Sequence, residues 1–235
     1  MACFALRAAG DSHSLPAMHK PGTYGMNANA NANAKAIAVM ASGRGTNLEV
    51  ILEAMRAGTC PVEVRLVISD KAAAPALAIA KAAGVEAVHL DPKAYADRAH
   101  YDAACADAID SHDCRWIVLA GYMRILSAEF VRRFKGRIVN IHPSILPAFP
   151  GAHAVEEALR HGVKISGCTV HLVDEVLDGG PILAQAAVPV LDGDTRDTLH
   201  ARIQAEEHRL YPATLARMAS EGFRLDGRRV IWRGR

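Results

Sequence analysis

Short apolar runs alternate with amphipathic segments from Lys35 onward, and this pattern predicts strands that alternate with helices. The runs with the length and composition of strands are residues 36–40, 62–68, 87–90, 116–120 and 138–141. Helical spacing of apolar residues, or an alanine-rich composition, predicts helices at 48–55, 72–83, 97–109, 128–134 and 155–161. Strands joined through helices are typical of parallel sheets. The pattern therefore predicts an α/β fold with a Rossmann-like, mostly parallel sheet and helices on both faces.

The C-terminal half follows a different pattern. Two apolar runs, 168–173 and 182–188, follow each other with a short connection. Because so short a connection cannot easily hold a crossover helix, these strands are predicted to form an antiparallel pair. A long helix is predicted at 196–220, and residues 229–232 are predicted to add an edge strand.

The first 34 residues differ in composition from the rest. Residues 27–34 are a strict Asn-Ala repeat, which is of low complexity and has no packing periodicity. We predict that residues 1–34 form a disordered tail. Its short, broken apolar stretches do not favour a secretory signal. Since no repeat or linker interrupts residues 35–235, that part is predicted to form a single domain.

Composition narrows the classes of partner. The 235-residue chain has 27 Lys and Arg against 25 Asp and Glu, and this small excess is spread along the sequence, so nucleic-acid binding is not expected. No apolar run approaches the roughly 18 residues of a membrane span. Five scattered cysteines without a C-x-x-C pair are typical of reduced thiols in a cytoplasmic protein. We expect a cytoplasmic monomer or homodimer that acts on small molecules.

A polar pair marks the end of the fifth predicted strand. Asn140 and His142 open the segment Asn-Ile-His-Pro-Ser-Ile-Leu-Pro. Residues i and i+2 of a strand point to the same face, so the amide and the imidazole are predicted to project together. An amide donor beside a group that exchanges protons suits a carbonyl oxygen that becomes negative during a reaction. The alternative is a strand end whose polar residues cap a loop.

A glycine-rich turn, Ser-Gly-Arg-Gly-Thr-Asn at residues 42–47, lies between the first predicted strand and helix. Its glycines let backbone N–H groups approach an anion at the start of the helix. The turn is neither G-x-G-x-x-G nor a Walker loop, so it favours a phosphate monoester over a dinucleotide or a triphosphate. The alternative is an ordinary helix start that Thr46 or Asn47 caps.

Two loops and one histidine are further candidates for parts of a functional site. Asp178, in Asp-Gly-Gly-Pro, could orient His142, although Asp-Gly is also common in plain turns. Residues 121–126 could form one wall of a pocket for a flat heterocycle, or could simply connect a strand to a helix. His171 is expected to be a buried histidine with satisfied hydrogen bonds.

Gln204, Glu207 and His208 lie at i, i+3 and i+4 of the long predicted helix and share one side of it. Such a trio is usually solvated surface, which is the alternative to a binding role. His142 and His153 lack the H-x-x-x-H or H-E-x-x-H spacing of metal ligands, so no metal site is predicted.

Taken in order, these segments resemble the phosphoribosylglycinamide formyltransferases of purine biosynthesis, which use 10-formyltetrahydrofolate as co-substrate. The resemblance runs from about residue 35 to residue 232. The Asn-x-His-Pro-Ser-x-Leu-Pro segment is shared by the wider folate-dependent formyltransferase superfamily. The Ser-Gly-x-Gly-Thr-Asn turn is more selective, because it resembles the phosphate-binding loop of that family.

The resemblance implies a role for each candidate residue. The catalytic residues would be Asn140, His142 and Asp178. The residues that bind the phosphate and ribose would be Gly45, Thr46, Asn47, Gln204 and Glu207. The folate would contact Arg98, Met123, Arg124, Ile125, Leu126 and Asn140. The implied reaction is direct acyl transfer without a metal. The segment 174–176 departs from the acidic pattern of the family, which leaves the geometry of the loop before Asp178 open.

Three alternatives remain at this point. A methionyl-tRNA formyltransferase normally carries a C-terminal β-rich domain, and a formyltetrahydrofolate hydrolase normally begins with a regulatory domain; neither is expected here. A folate or nucleotide sensor without activity is the third alternative. A sensor would not need an amide, an imidazole and a carboxylate together, so the sequence favours an enzyme.

Overall fold

The computed structural model describes residues 35–233 of the chain. The predicted disordered tail, residues 1–34, lies outside the described residues. Sixteen successive elements, one of them a short 3-10 turn at Pro92–Ala94, make up the described part.

Seven strands form the main sheet, in the order β3-β2-β1-β4-β5-β6-β7. These strands are β1 (Ala36–Met40), β2 (Glu63–Ser69), β3 (Glu86–His89), β4 (Trp116–Leu119), β5 (Ile138–His142), β6 (Ile165–Leu172) and β7 (Ile182–Pro189). Strands β1 to β5 are parallel, whereas β6 is antiparallel to both of its neighbours. The predicted parallel sheet and the predicted antiparallel pair β6–β7 are both confirmed.

Helices cover both faces of the sheet. They are α1 (Thr46–Arg56), α2 (Pro75–Ala82), α3 (Arg98–Ser111), α4 (Ala128–Arg133), α5 (Ala154–Arg160) and α6 (Arg196–Ser220). Buried residues of α1, α2, α5 and α6 pack in one core, and those of α3 and α4 pack in the other. Strand β1 supplies Ile37 and Val39 to the first core and Ala38 and Met40 to the second. All five of its residues are buried, as expected for a parallel strand covered on both sides.

The order of the strands places a crevice between β1 and β4. The chain leaves β1 toward β2 on one side and later returns to β4 on the other side, and ligands of open α/β sheets bind outside the carboxyl ends at such a point. The loops after β1 and β4 are joined there. The Ser42 backbone N–H donates to the Gly121 carbonyl over 3.1 Å, and Ser42 Oγ accepts from the Met123 backbone N–H over 2.8 Å.

Helix α6 passes close to the same edge of the sheet. It starts at a capping box formed by Thr195 and Thr198. Further along, the buried hydroxyl of Tyr211 lies 3.1 Å from the carbonyl oxygens of both Leu119 and Val139. This contact fixes α6 against β4 and β5, so the residues one to two turns before Tyr211 face the crevice.

Residues 229–232 form a strand, as predicted, but this strand is not an edge of the main sheet. Strand β9 (Arg229–Trp232) pairs with β8 (Phe223–Asp226) in a separate two-stranded sheet. The ring of Phe223 lies 6.0 Å from that of Trp116 and 5.5 Å from that of Trp232, so aromatic packing seats this hairpin against the core. Within the part of the chain that the structure describes, no helix has the length and apolarity to cross a membrane.

Candidate functional site

Asn140 and His142 project from the carboxyl end of β5, two residues apart on one face of the strand. Asp178 reaches them from the loop between β6 and β7. His142 Nδ1 lies 3.4 Å from Asp178 Oδ2, and only 7 % and 10 % of the two side chains are exposed. The structure therefore brings a buried imidazole and a buried carboxylate together at the end of the crevice.

The backbone around Asp178 is shaped to deliver its carboxylate. Asp178 has φ +50°, a left-handed conformation that aspartate tolerates better than most residues. Its Oδ2 accepts a hydrogen bond from the Gly151 backbone N–H over 2.8 Å. At Gly180 an added Cβ would lie 1.8 Å from the Leu172 carbonyl oxygen, so the loop after Asp178 approaches β6 more closely than another residue would allow.

The loop that follows His142 is held by β6 and β7. Thr169 Oγ1 donates to the Ser144 carbonyl over 2.7 Å and accepts from the Leu146 backbone N–H over 3.0 Å. Gln185 adds a hydrogen bond to the Leu146 carbonyl. The loop then returns to the imidazole, where His142 Nε2 lies 2.8 Å from the Phe149 carbonyl oxygen. Both groups beside the ring are acceptors, so either ring nitrogen has a partner when it carries a proton.

His171 is buried, as the sequence predicts, but it also contacts two of the candidate residues. It lies opposite Asn140 in the β5–β6 register. Its Nδ1 is 2.9 Å from the Leu172 carbonyl oxygen and therefore donates, which leaves Nε2 to accept from Asn140 Nδ2 over 3.3 Å. Burial lowers the pKa of His171. A neutral His171 thus sets the orientation of the Asn140 amide, and its Nε2 also lies 3.7 Å from Asp178 Oδ1.

The glycine-rich turn and α6 meet at the opposite side of the crevice. Gln204 Nε2 donates to Thr46 Oγ1 over 3.3 Å, and Asn47 Nδ2 donates to Glu207 Oε2 over 3.2 Å. Gly45 precedes the helix in a left-handed conformation, and no side chain caps the first turn of α1. The alternative of a start capped by Thr46 or Asn47 is therefore wrong, and the first N–H groups of α1 are left for water or a ligand.

The polar groups where the glycine-rich turn meets α6 have only some of their hydrogen bonds satisfied. Asn47 is 8 % exposed, and its Oδ1 has no hydrogen-bond partner among the described residues. Glu207 is 7 % exposed, and burial raises the pKa of its carboxyl group, which the hydrogen bond from Asn47 partly opposes. Buried polar atoms are nearly always paired in folded proteins, so a polar ligand is expected to complete this position.

Gly45→Ala is expected to lower the free energy of unfolding by about 2 kcal/mol or more, because alanine is strained at positive φ and would also clash. The backbone has φ +78° at Gly45, and an added Cβ would lie 2.8 Å from Ala76 Cα. Chemical denaturation would measure the loss. Gly43→Ala is the matched control, since an added Cβ there meets nothing within 4 Å. Equal stability of the two variants would contradict the close packing of this turn against α2.

The candidate folate residues lie near the N-terminus of α3. The Arg124 guanidinium stacks 4.9 Å from the ring of Tyr101, which lies one turn after the exposed Arg98. Met123 is 77 % exposed and Ile125 is 65 % exposed, while Leu126 packs partly on the second core. Exposed apolar side chains beside backbone polar groups suit a flat heterocycle. Among the described residues, no cluster of His, Cys, Asp and Glu has an arrangement that could hold a metal.

The sequence and the fold of this chain are similar to those of known formyltransferases. Residues 35–215 match the sequence family described as formyl transferase. Phosphoribosylglycinamide formyltransferase of Escherichia coli (strain K12) is 41 % identical over 198 residues, which are 81 % of this chain and 93 % of that protein. The crystal structure of glycinamide ribonucleotide transformylase 1 from Symbiobacterium toebii superposes with a TM-score of 0.83 at 48 % identity, and the match covers 89 % of this chain and 99 % of that chain.

Longer proteins contain a similar segment. The trifunctional purine biosynthetic protein adenosine-3 of Gallus gallus is 42 % identical over 195 residues, which are 83 % of this chain. These residues are 19 % of that protein, so this chain spans about a fifth of the length of the trifunctional relative.

Proposed function

The chain belongs to the formyl transferase family, and we propose that it transfers the formyl group of 10-formyltetrahydrofolate to the amine of N1-(5-phosphoribosyl)glycinamide in de novo purine biosynthesis. The observation that carries this proposal is the buried contact between His142 and Asp178, with Asn140 on the same face of β5. Across the crevice, the buried Asn47–Glu207 pair, with Asn47 Oδ1 still unpaired, supports the proposed position of the phosphate and the sugar.

The reaction we propose is direct acyl transfer. The glycinamide amine forms a bond to the formyl carbon, and the bond between that carbon and the folate nitrogen then breaks. The amine loses a proton, and the departing folate nitrogen gains one. Binding both substrates side by side replaces an encounter in solution, so a covalent enzyme intermediate is not needed.

The three proposed catalytic side chains have different roles. The Asn140 amide donates to the formyl oxygen as it becomes negative. The His142 imidazole stabilises the same charge and carries the proton for the leaving nitrogen, while the Asp178 carboxylate holds the ring. His142 Nε2 contacts the Phe149 carbonyl in the free protein, and this contact would have to open for that nitrogen to reach the formyl oxygen.

The acceptor is proposed to bind at the glycine-rich turn. Its phosphate would lie on the uncapped first turn of α1, at Gly45, Thr46 and Asn47, where N–H groups and the helix dipole favour an anion. Gln204 contacts Thr46 and is placed to reach the same phosphate. The buried Glu207 carboxylate would accept from the ribose hydroxyls.

The folate is proposed to bind on the other side of the catalytic cluster. Met123, Ile125 and Leu126 would contact the heterocycle, with the neighbouring backbone supplying hydrogen bonds. The exposed Arg98 and the partly buried Arg124 would meet the carboxylates of the folate tail. No metal takes part in the proposed reaction. A cytoplasmic monomer or homodimer remains our expectation.

A steady-state assay with competing acceptors tests the proposed function. The chain should consume 10-formyltetrahydrofolate rapidly with phosphoribosylglycinamide and far more slowly with water or charged methionyl-tRNA. Faster turnover with the tRNA, or equal turnover with water, would replace this proposal by another activity of the superfamily. Binding of folate without turnover of any acceptor would favour a sensor.

A further inference from the structure

Helix α6 presents more than Gln204 to the glycine-rich turn. His200, Gln204 and His208 are four residues apart and therefore lie along one side of the helix. Because Gln204 contacts Thr46, this side of α6 faces the turn. The two histidines thus flank the proposed phosphate position, about 12 Å apart along the helix axis.

Arg44, in the middle of the same turn, brings a positive charge to this side of α6. It is exposed, and it makes no ion pair with any residue between 35 and 233. Its charge acts on both histidines, since it lowers the pKa of His200 and that of His208. Arg44 is therefore an unneutralised cation close to both histidines and to the first turn of α1.

The other charges around His200 largely offset one another. Arg196 contacts Glu156 of α5 over 2.6 Å and Asp197 of its own helix over 3.2 Å. Burial, Arg196 and Arg44 lower the pKa of His200, whereas Asp197 and Glu156 raise it. His200 makes no hydrogen bond to a described residue. Its ring is consequently neutral and without a partner near pH 7.

His208 differs from His200 in its surroundings. Burial and Arg44 lower its pKa, but Glu49 and Glu53 of α1 oppose that shift. Its Nε2 is buried and has no partner within the described range. Glu49 and Glu53 would repel a phosphate dianion near His208. The end of this side of α6 near His200 therefore suits a phosphate better.

We propose that Arg44 and His200 contact the phosphate of the acceptor in addition to the first turn of α1, and that His200 takes up a proton when the phosphate binds. This inference rests on the proposed function, because that function puts a phosphate monoester at the turn. The unpaired Oδ1 of Asn47, a residue that is 8 % exposed, independently points to a missing hydrogen-bond donor at this position, such as a sugar hydroxyl attached to the phosphate. A guanidinium forms charge-assisted hydrogen bonds with phosphate oxygens.

The sign of the pH dependence follows from the neutral state of free His200. A phosphate dianion beside the ring favours the imidazolium, so the pKa of His200 is higher in the complex than in the free protein. Binding therefore takes up a proton between these two pKa values. Affinity contributed by His200 falls as the pH rises through this interval, and it is lost above the pKa of the complex.

Arg44→Ala tests the first half of the inference. We expect KM for phosphoribosylglycinamide to rise about tenfold, as for one lost charge-assisted hydrogen bond, with kcat and the KM for folate within about twofold. Arg56→Ala is the matched control, since Arg56 is exposed in the last turn of α1, about 15 Å from its start. An unchanged KM for the acceptor in Arg44→Ala would overturn the assignment of Arg44.

His200→Gln tests the second half by isothermal titration calorimetry. Titration of the wild-type protein with phosphoribosylglycinamide near pH 7, in two buffers that differ in ionisation enthalpy, should show net proton uptake. That uptake should be smaller by up to one proton in His200→Gln, because ionisation of the ligand is common to both proteins and cancels. Equal uptake in the two proteins would overturn the role of His200.

Ribose 5-phosphate separates this inference from the proposed function. It carries the phosphate but no amine, so its binding does not depend on formyl transfer. Weaker binding of ribose 5-phosphate to Arg44→Ala than to Arg56→Ala would support the anion site even if the wild-type chain did not turn over the acceptor. Formyl transfer with equal ribose 5-phosphate affinity in both variants would leave the proposed function standing and overturn the inference alone.

Discussion

His142→Ala is expected to lower kcat for formyl transfer by at least about 100-fold, because removal of one group that stabilises an oxyanion typically costs that much. The imidazole is buried between the Asp178 carboxylate and the Phe149 carbonyl. His171 lies beside the same carboxylate, but its Nε2 accepts from the Asn140 amide, so it is not placed to replace the His142 ring. Steady-state kinetics with both substrates would measure the loss.

The His142→Ala variant must be shown to fold. Its melting temperature and its affinity for folate are expected to remain close to wild type, since the ring makes polar contacts at the edge of the core and belongs to neither apolar cluster. His100→Ala is the matched control. His100 is exposed on α3 and pairs with Asp97 there, so the loss of its ring should leave kcat unchanged. Loss of folate binding in His142→Ala would mean a structural role instead.

The local part of the candidate site could be predicted from sequence. Because alternate residues of a strand share a face, the pairing of Asn140 and His142 followed from the position of β5 alone. The predicted bounds of α6, residues 196–220, also agree with the structure, in which Thr195 caps the start of the helix. These features depend on residues that are close in sequence.

The non-local part of the site could not be predicted in the same way. The approach of Asp178 to His142 depends on a loop conformation with positive φ and on the antiparallel pairing of β5 with β6. The contact between His171 and Asn140 depends on the register of that pairing, and the sequence pattern revealed only the pair β6–β7. The β-strand at 229–232 shows the same limit, since its composition predicted a strand but not its partner.

Asp178→Asn is expected to lower kcat by about 10- to 100-fold with little change in either KM, because hydrogen bonds that involve a charged group contribute about 1.5–3 kcal/mol. The asparagine oxygen can still accept from the Gly151 N–H, so the loop should keep its position. What the variant lacks is the negative charge 3.4 Å from His142 Nδ1, which stabilises the ring when it carries the proton. Steady-state kinetics across a range of pH would measure the effect.

Comparison of Asp178→Asn with Asp178→Ala separates the charge from the position. Alanine removes the contact with Gly151 as well as the charge, so it should lower kcat further and also destabilise the loop. Asp192→Asn is the matched control, because Asp192 is exposed and pairs only with Lys164 among the described residues. Since the carboxylate is proposed to act through the imidazole, Asp178→Asn should add little to the loss already present in His142→Ala. Fully additive losses in the double variant would show that Asp178 acts independently of His142, and would remove it from the proposed mechanism.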